Sequence, residues 1–87
     1  MAYDVLASQA AARDIRRLPP ETRPRVRDAI LALREDPRAR AQKLAVEGAY
    51  RVRVGDYRIV FRVDDTAREV LITRVRHRRD VYRRRRR

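Results

Sequence analysis

Between Tyr50 and Val63 every second residue is apolar and most of the residues between are arginine, with Val60 in one arginine position and a break at Gly55-Asp56. A period of two places every second side chain on the same side of a pleated strand, so this stretch reads as strand rather than helix. Two such runs joined by a Gly-Asp pair predict a tight β-hairpin. A two-residue loop also sets the register: Val54 pairs with Tyr57, Arg53 with Arg58, Val52 with Ile59 and Arg51 with Val60. Directly opposed residues point to the same side. One side therefore collects Tyr50, Val52, Val54, Tyr57, Ile59 and Phe61, the expected core. The other collects Arg51, Arg53, Arg58 and Arg62.

The rest of the chain supplies layers for that core. Residues 2–6 predict a first strand. Ser8 is an N-cap for a helix with Ala11, Ala12, Ile15 and Leu18 as its apolar stripe, stopped by Pro19-Pro20. A second helix carries Val26, Ala29, Ile30 and Leu33; Thr22 is its N-cap, Pro24 lies in its first turn, and Asp36-Pro37 ends it. Residues 38–48 read as a connector. Residues 69–76 form a third hairpin-region strand, apolar on both faces at Val70-Leu71-Ile72, as a central strand requires. The predicted class is α+β with element order β-α-α-β-β-β: a twisted antiparallel sheet, a helix hairpin packed on one face, and a short basic C-terminal segment. One domain spans residues 1–82. Residues 83–87, all arginine, form a tail that is either a solvated terminus or an electrostatic tether.

A chain of 87 residues buries roughly 60–65% of its unfolded surface, so a site is expected as a patch on the open face. Twenty-four basic residues against 12 acidic ones leave a net charge of +12, and Lys43 is the only lysine. GC-rich codons account for arginine over lysine but not for the excess charge, which calls for a polyanionic partner. With no cysteine, one histidine and no carboxylate cluster expected on the open face, neither a metal nor a cofactor is expected. No apolar run approaches the ~18 residues of a membrane span, and Met1-Ala2-Tyr3-Asp4 lacks the features of a signal peptide. The expected location is cytoplasmic.

Arg53 opposite Arg58 costs stability, up to about 1 kcal/mol, unless an anion binds between them. Arg74 and Arg76 share one parity and extend the same face on the third strand of this region. A second cluster, His77-Arg78-Arg79-Asp80-Val81-Tyr82, places an imidazole, guanidiniums and a phenol just beyond that strand. A lone histidine is more often structural than catalytic, and a terminal tyrosine often only packs.

The segment Tyr50-Arg51-Val52-Arg53-Val54-Gly55-Asp56-Tyr57-Arg58-Ile59-Val60-Phe61, followed by Val75-Arg76-His77-Arg78-Arg79-Asp80-Val81-Tyr82, resembles the RelE toxins of the RelE/ParE superfamily. Lys43-Leu44 and the helix breaks at Pro19-Pro20 and Asp36-Pro37 fit the same pattern. The resemblance implies the fold above and a metal-free endoribonuclease that cuts mRNA in the ribosomal A site. It assigns catalytic positions to Arg51 and Arg53 (usually lysine in such toxins), to Arg58 on the scissile phosphate, to Arg78, and to Tyr82 on the substrate nucleotide. Arg62, Arg74, Arg76 and His77 complete the expected RNA-binding set. Arginine is a poor general base, so the base would be His77, Tyr82 or ribosomal RNA. The implied partners are an acidic RelB-like antitoxin, the ribosome and mRNA, with operator DNA met only through the antitoxin complex. Two further readings remain open: a ParE-like inhibitor of DNA gyrase, and a non-catalytic RNA-binding or ribosome-associated protein.

Overall fold

The computed structural model describes residues 2–78; Met1 and residues 79–87 lie outside the described part. Its elements are β1 (Asp4–Ala7), α1 (Gln9–Arg16), α2 (Arg23–Glu35), β2 (Gln42–Lys43), β3 (Ala49–Val54), β4 (Tyr57–Asp64) and β5 (Glu69–His77). The strands form one sheet in the order β1-β5-β4-β3-β2.

Both helix starts fall where the capping residues stand. The Ser8 hydroxyl accepts from the Ala11 amide at 3.1 Å and so satisfies one of the amides that α1 cannot pair internally. Thr22 is the N-cap residue of α2, but its side chain makes no capping bond. Instead the Arg23 guanidinium reaches back to the Leu18 and Arg16 carbonyls, both at 3.2 Å, and covers the open end of α1. Asp36 ends α2 in an extended conformation, as its following proline requires.

The hairpin register matches the expected pairing of Val54 with Tyr57, Arg53 with Arg58, Val52 with Ile59 and Arg51 with Val60. Gly55 takes φ +60° while Asp56 stays at negative φ, the combination of a type II′ turn. The helices cover the apolar side of the sheet. Val26 and Leu33 of α2, Ala11 and Leu18 of the α1 region, and Ile59, Phe61, Val70, Ile72 and Val75 of the sheet form the buried core. Tyr50 stacks on its cross-strand partner Phe61 with centroids 5.9 Å apart.

Two expectations are corrected. The sheet is mixed: β1 runs parallel to β5, with Val5 beside Val70 and Leu6 beside Leu71. A parallel pair needs a long crossover, and everything from α1 to β4 supplies it. The connector also contains β2, which pairs antiparallel with β3 and places Gln42 opposite Arg51.

At its centre β5 changes sides. Phe61 pairs with Ile72, but Val60 pairs with Arg74, so Thr73 is an extra residue on β5. Its hydroxyl donates to the Val60 carbonyl at 3.1 Å, and its own carbonyl accepts from the Ser8 hydroxyl at 3.1 Å. The bulge is thus tied down from both sides. Without it, Arg76 would keep the parity of Val70 and Ile72 and point into the core.

Candidate nucleic-acid interface

Because of the bulge, Arg76 stands opposite Arg58, which stands opposite Arg53. Three guanidiniums thus occupy one row across β3, β4 and β5. With strands about 4.8 Å apart, the row is roughly 10 Å wide. None of the three makes a hydrogen bond or ion pair with a described residue. The Arg78 amide donates to the Asp56 carbonyl at 2.9 Å, which brings Arg78 to the hairpin turn beside the same row.

The other expected site residues divide differently. Arg51 lies one step further down the open face, where its Nε and Nη2 donate to the Gln42 side-chain oxygen at 3.1 and 2.9 Å. Arg62 lies further down still and donates to the Glu47 carbonyl at 3.1 Å. Arg74 leaves the face: its guanidinium meets the Asp14 carboxylate on α1 at 2.8 and 3.2 Å, and the same carboxylate accepts from the Val75 amide at 2.9 Å. His77 pairs with Tyr57, on the apolar side of the hairpin, and the two rings meet edge to face at 5.0 Å. Tyr82, the last expected site residue, lies outside the described residues.

Asp14 closes the edge of β5 beyond the end of β1. Burial by itself would raise its carboxyl. The Arg74 hydrogen bonds, the Val75 amide, and the charges of Arg74 and Arg76 outweigh burial and hold it below the ordinary carboxylate range. At the opposite end of the sheet Arg38 grips Asp65 through both nitrogens at 3.2 and 2.8 Å, while Tyr3 donates to Asp65 at 2.7 Å. Arg38 also donates to the Tyr50 hydroxyl at 2.9 Å. The Arg38 and Tyr3 hydrogen bonds hold the Asp65 carboxyl low, and the same ion pair raises Arg38.

The open face is polarised, which the sequence reading missed. Asp4, Glu69 and Asp64 are neighbours in one row at the far end, about 20 Å along the strand from Arg58. The expectation of no carboxylate cluster on this face is therefore corrected. Among the described residues no three metal-ligating side chains converge closely enough to hold an ion. Exposed Leu6 and Leu71, in the row of Arg62, lie between the acidic row and the Arg53–Arg58–Arg76 row. Signals for this were present: the pairing of Asp64 with Glu69 follows from the turn at 65–68. An anion is attracted to one end of the face and repelled from the other.

The family model for ParE toxins of type II toxin–antitoxin systems (parDE) matches residues 5–82. Toxin RelG of Mycobacterium tuberculosis is 38% identical over 97% of this chain and all of its own length. The chain is a RelE-type toxin of the RelE/ParE superfamily. The solved toxin–antitoxin complex RelBE2 of M. tuberculosis contains a chain that superposes with a TM-score of 0.81 at 32% identity, covering 88% of this chain and 99% of that one. The intact RelBE complex of E. coli gives 0.78 at 26% identity, covering 85% and 94%. In this RelE-type toxin no helix among the described residues is long and apolar enough to cross a membrane.

Proposed function

We propose that this RelE-type toxin is a ribosome-dependent endoribonuclease that cuts mRNA in the ribosomal A site and so stops translation. The observation that carries the reading is the row Arg53–Arg58–Arg76, three guanidiniums with no hydrogen bond or ion pair to another described residue, whose mutual repulsion an RNA phosphate would relieve. In the reaction the 2′-hydroxyl oxygen bonds to the adjacent phosphorus while the bond from phosphorus to the 5′-oxygen breaks. One proton leaves the 2′-hydroxyl and another reaches the 5′-oxygen. The arginine row stabilises the extra negative charge on the pentacovalent phosphate, and Arg78 closes the row at the hairpin turn. Arg51, held by Gln42, and Arg62 steer the neighbouring phosphates. The candidate proton acceptors are His77, whose ring meets Tyr57 edge to face, Tyr82 and ribosomal RNA.

The toxin's activity is held in check by an acidic, RelB-like antitoxin, since both solved relatives named above are toxin–antitoxin complexes. Operator DNA is met only through that complex, and the protein works in the cytoplasm, where its targets are. The test is expression from a tightly controlled promoter with mapping of new mRNA 5′ ends. Cuts within translated codons, absent when translation initiation is blocked, are expected. Growth arrest with intact mRNA and inhibited DNA gyrase would replace this reading with a ParE-like one.

A further inference from the structure

β2 is only two residues long, yet it sets Gln42 directly opposite Arg51 at the edge of the open face. Both Arg51 nitrogens donate to the same Gln42 oxygen. A guanidinium has only donors, so the amide must turn its oxygen inward and its NH2 group outward. That nitrogen makes no hydrogen bond with any described residue, and Gln42 is exposed. A glutamate would hold Arg51 equally well but would cancel its charge. The amide leaves the face cationic and adds an outward NH2 donor on a residue whose Cα lies about 8 Å from that of Arg53, by strand rise and strand spacing.

We infer that Gln42 is a specificity residue, donating from its amide nitrogen to the base of the nucleotide whose phosphate lies on the Arg53–Arg58–Arg76 row. The inference rests on the proposed nuclease reading and adds which base is preferred. With its oxygen occupied, the amide cannot make the two-way pair that a free glutamine makes with adenine. Guanine offers two adjacent acceptors, O6 and N7, whereas adenine places a donor beside its N7. Gln42 therefore favours guanine over adenine at one fixed position relative to the cut.

The test adds purified toxin to a reconstituted translation reaction on mRNAs that carry every base at each codon position, and maps the cuts. Wild type should show guanine over adenine by about fivefold at one position, the size of one net hydrogen bond. Gln42→Glu keeps an acceptor for Arg51 but removes the donors; Gln42→Leu removes both. Gln42→Leu should bring the ratio to parity, and Gln42→Glu should carry it to parity or past it toward adenine, whose amine can donate to the outward carboxylate oxygen; because the ratio is internal to each reaction, slower cutting does not mask it. If one variant does not fold, the other decides. A bias that survives in the variants overturns the inference, even if cutting slows at all sites, because Gln42 would then only hold Arg51. A wild type that cuts without bias overturns it too. A wild type that does not cut at all overturns the nuclease reading and this inference with it.

Discussion

Asp14 of α1 binds Arg74 of β5 at 2.8 Å and the backbone of Val75 with the same oxygen, and so joins a helix to the strand that carries Arg76. Asp14→Ala leaves an amide and a guanidinium without their acceptor on a carboxylate that is only 13% exposed. The expected loss is about 1–3 kcal/mol, read from urea unfolding. Asp14→Asn should lose less, because its amide oxygen still accepts.

The same carboxylate makes stability depend on pH. Its value in the folded chain lies below its ordinary one, so its contribution is present above the ordinary value and disappears as pH falls through the folded one. Wild type should therefore lose stability below about pH 4. In Asp14→Asn the acid loss should be shallower, with the remainder coming from groups such as Asp65. Equal acid slopes in wild type and Asp14→Asn would show that Asp14 contributes nothing to it.

Arg58 stands between Arg53 and Arg76, so its removal relieves two like-charge contacts. Arg58→Ala should abolish toxicity and leave the fold intact or more stable by up to about 1 kcal/mol. Toxicity assays paired with thermal melts decide it. A clear drop in melting temperature with toxicity retained would make Arg58 a structural residue.

The antitoxin should bind through exposed charge as well as apolar contact, since the toxin carries a net charge of +12. Affinity should fall as salt rises, because exposed pairs are screened beyond about 8–10 Å at physiological ionic strength. Calorimetry across a salt series reads this directly. Salt-independent affinity would move the interface to the apolar surface of the helix hairpin, where Leu31 is exposed.

Cleavage by the neighbouring 2′-hydroxyl has a chemical signature. The products should carry a 2′,3′-cyclic phosphate (or its opened 3′-phosphate) and a 5′-hydroxyl. A 2′-O-methyl group at the cut site should stop the reaction, and a chelator should not, provided the ribosome stays intact. Normal cutting of the methylated RNA would rule out the proposed chemistry. Tyr82→Phe then separates a proton or hydrogen-bond role of the phenol from stacking.

Local chemistry determined much of this protein. Alternation and a two-residue loop fixed the hairpin, its register and the pairing of Arg53 with Arg58. Ser8 and Asp36-Pro37 marked helix ends because capping and proline act over a few residues. Tertiary structure alone decided what depends on partners distant in the chain. The direction of β1 depended on which sheet edge lay open after a crossover of some 60 residues. Arg74 and Arg76 share a parity, yet Asp14, 60 residues away, draws one off the open face and leaves the other on it. The bulge left a faint trace, since the buried residues run Val70, Ile72, Val75 rather than continuing to position 74. Parity reports a side only while the ladder is regular, and one extra residue reverses it. The arginines are written in the sequence; that Arg53, Arg58 and Arg76 share one row with no hydrogen bond or ion pair to another described residue is a property of the folded sheet.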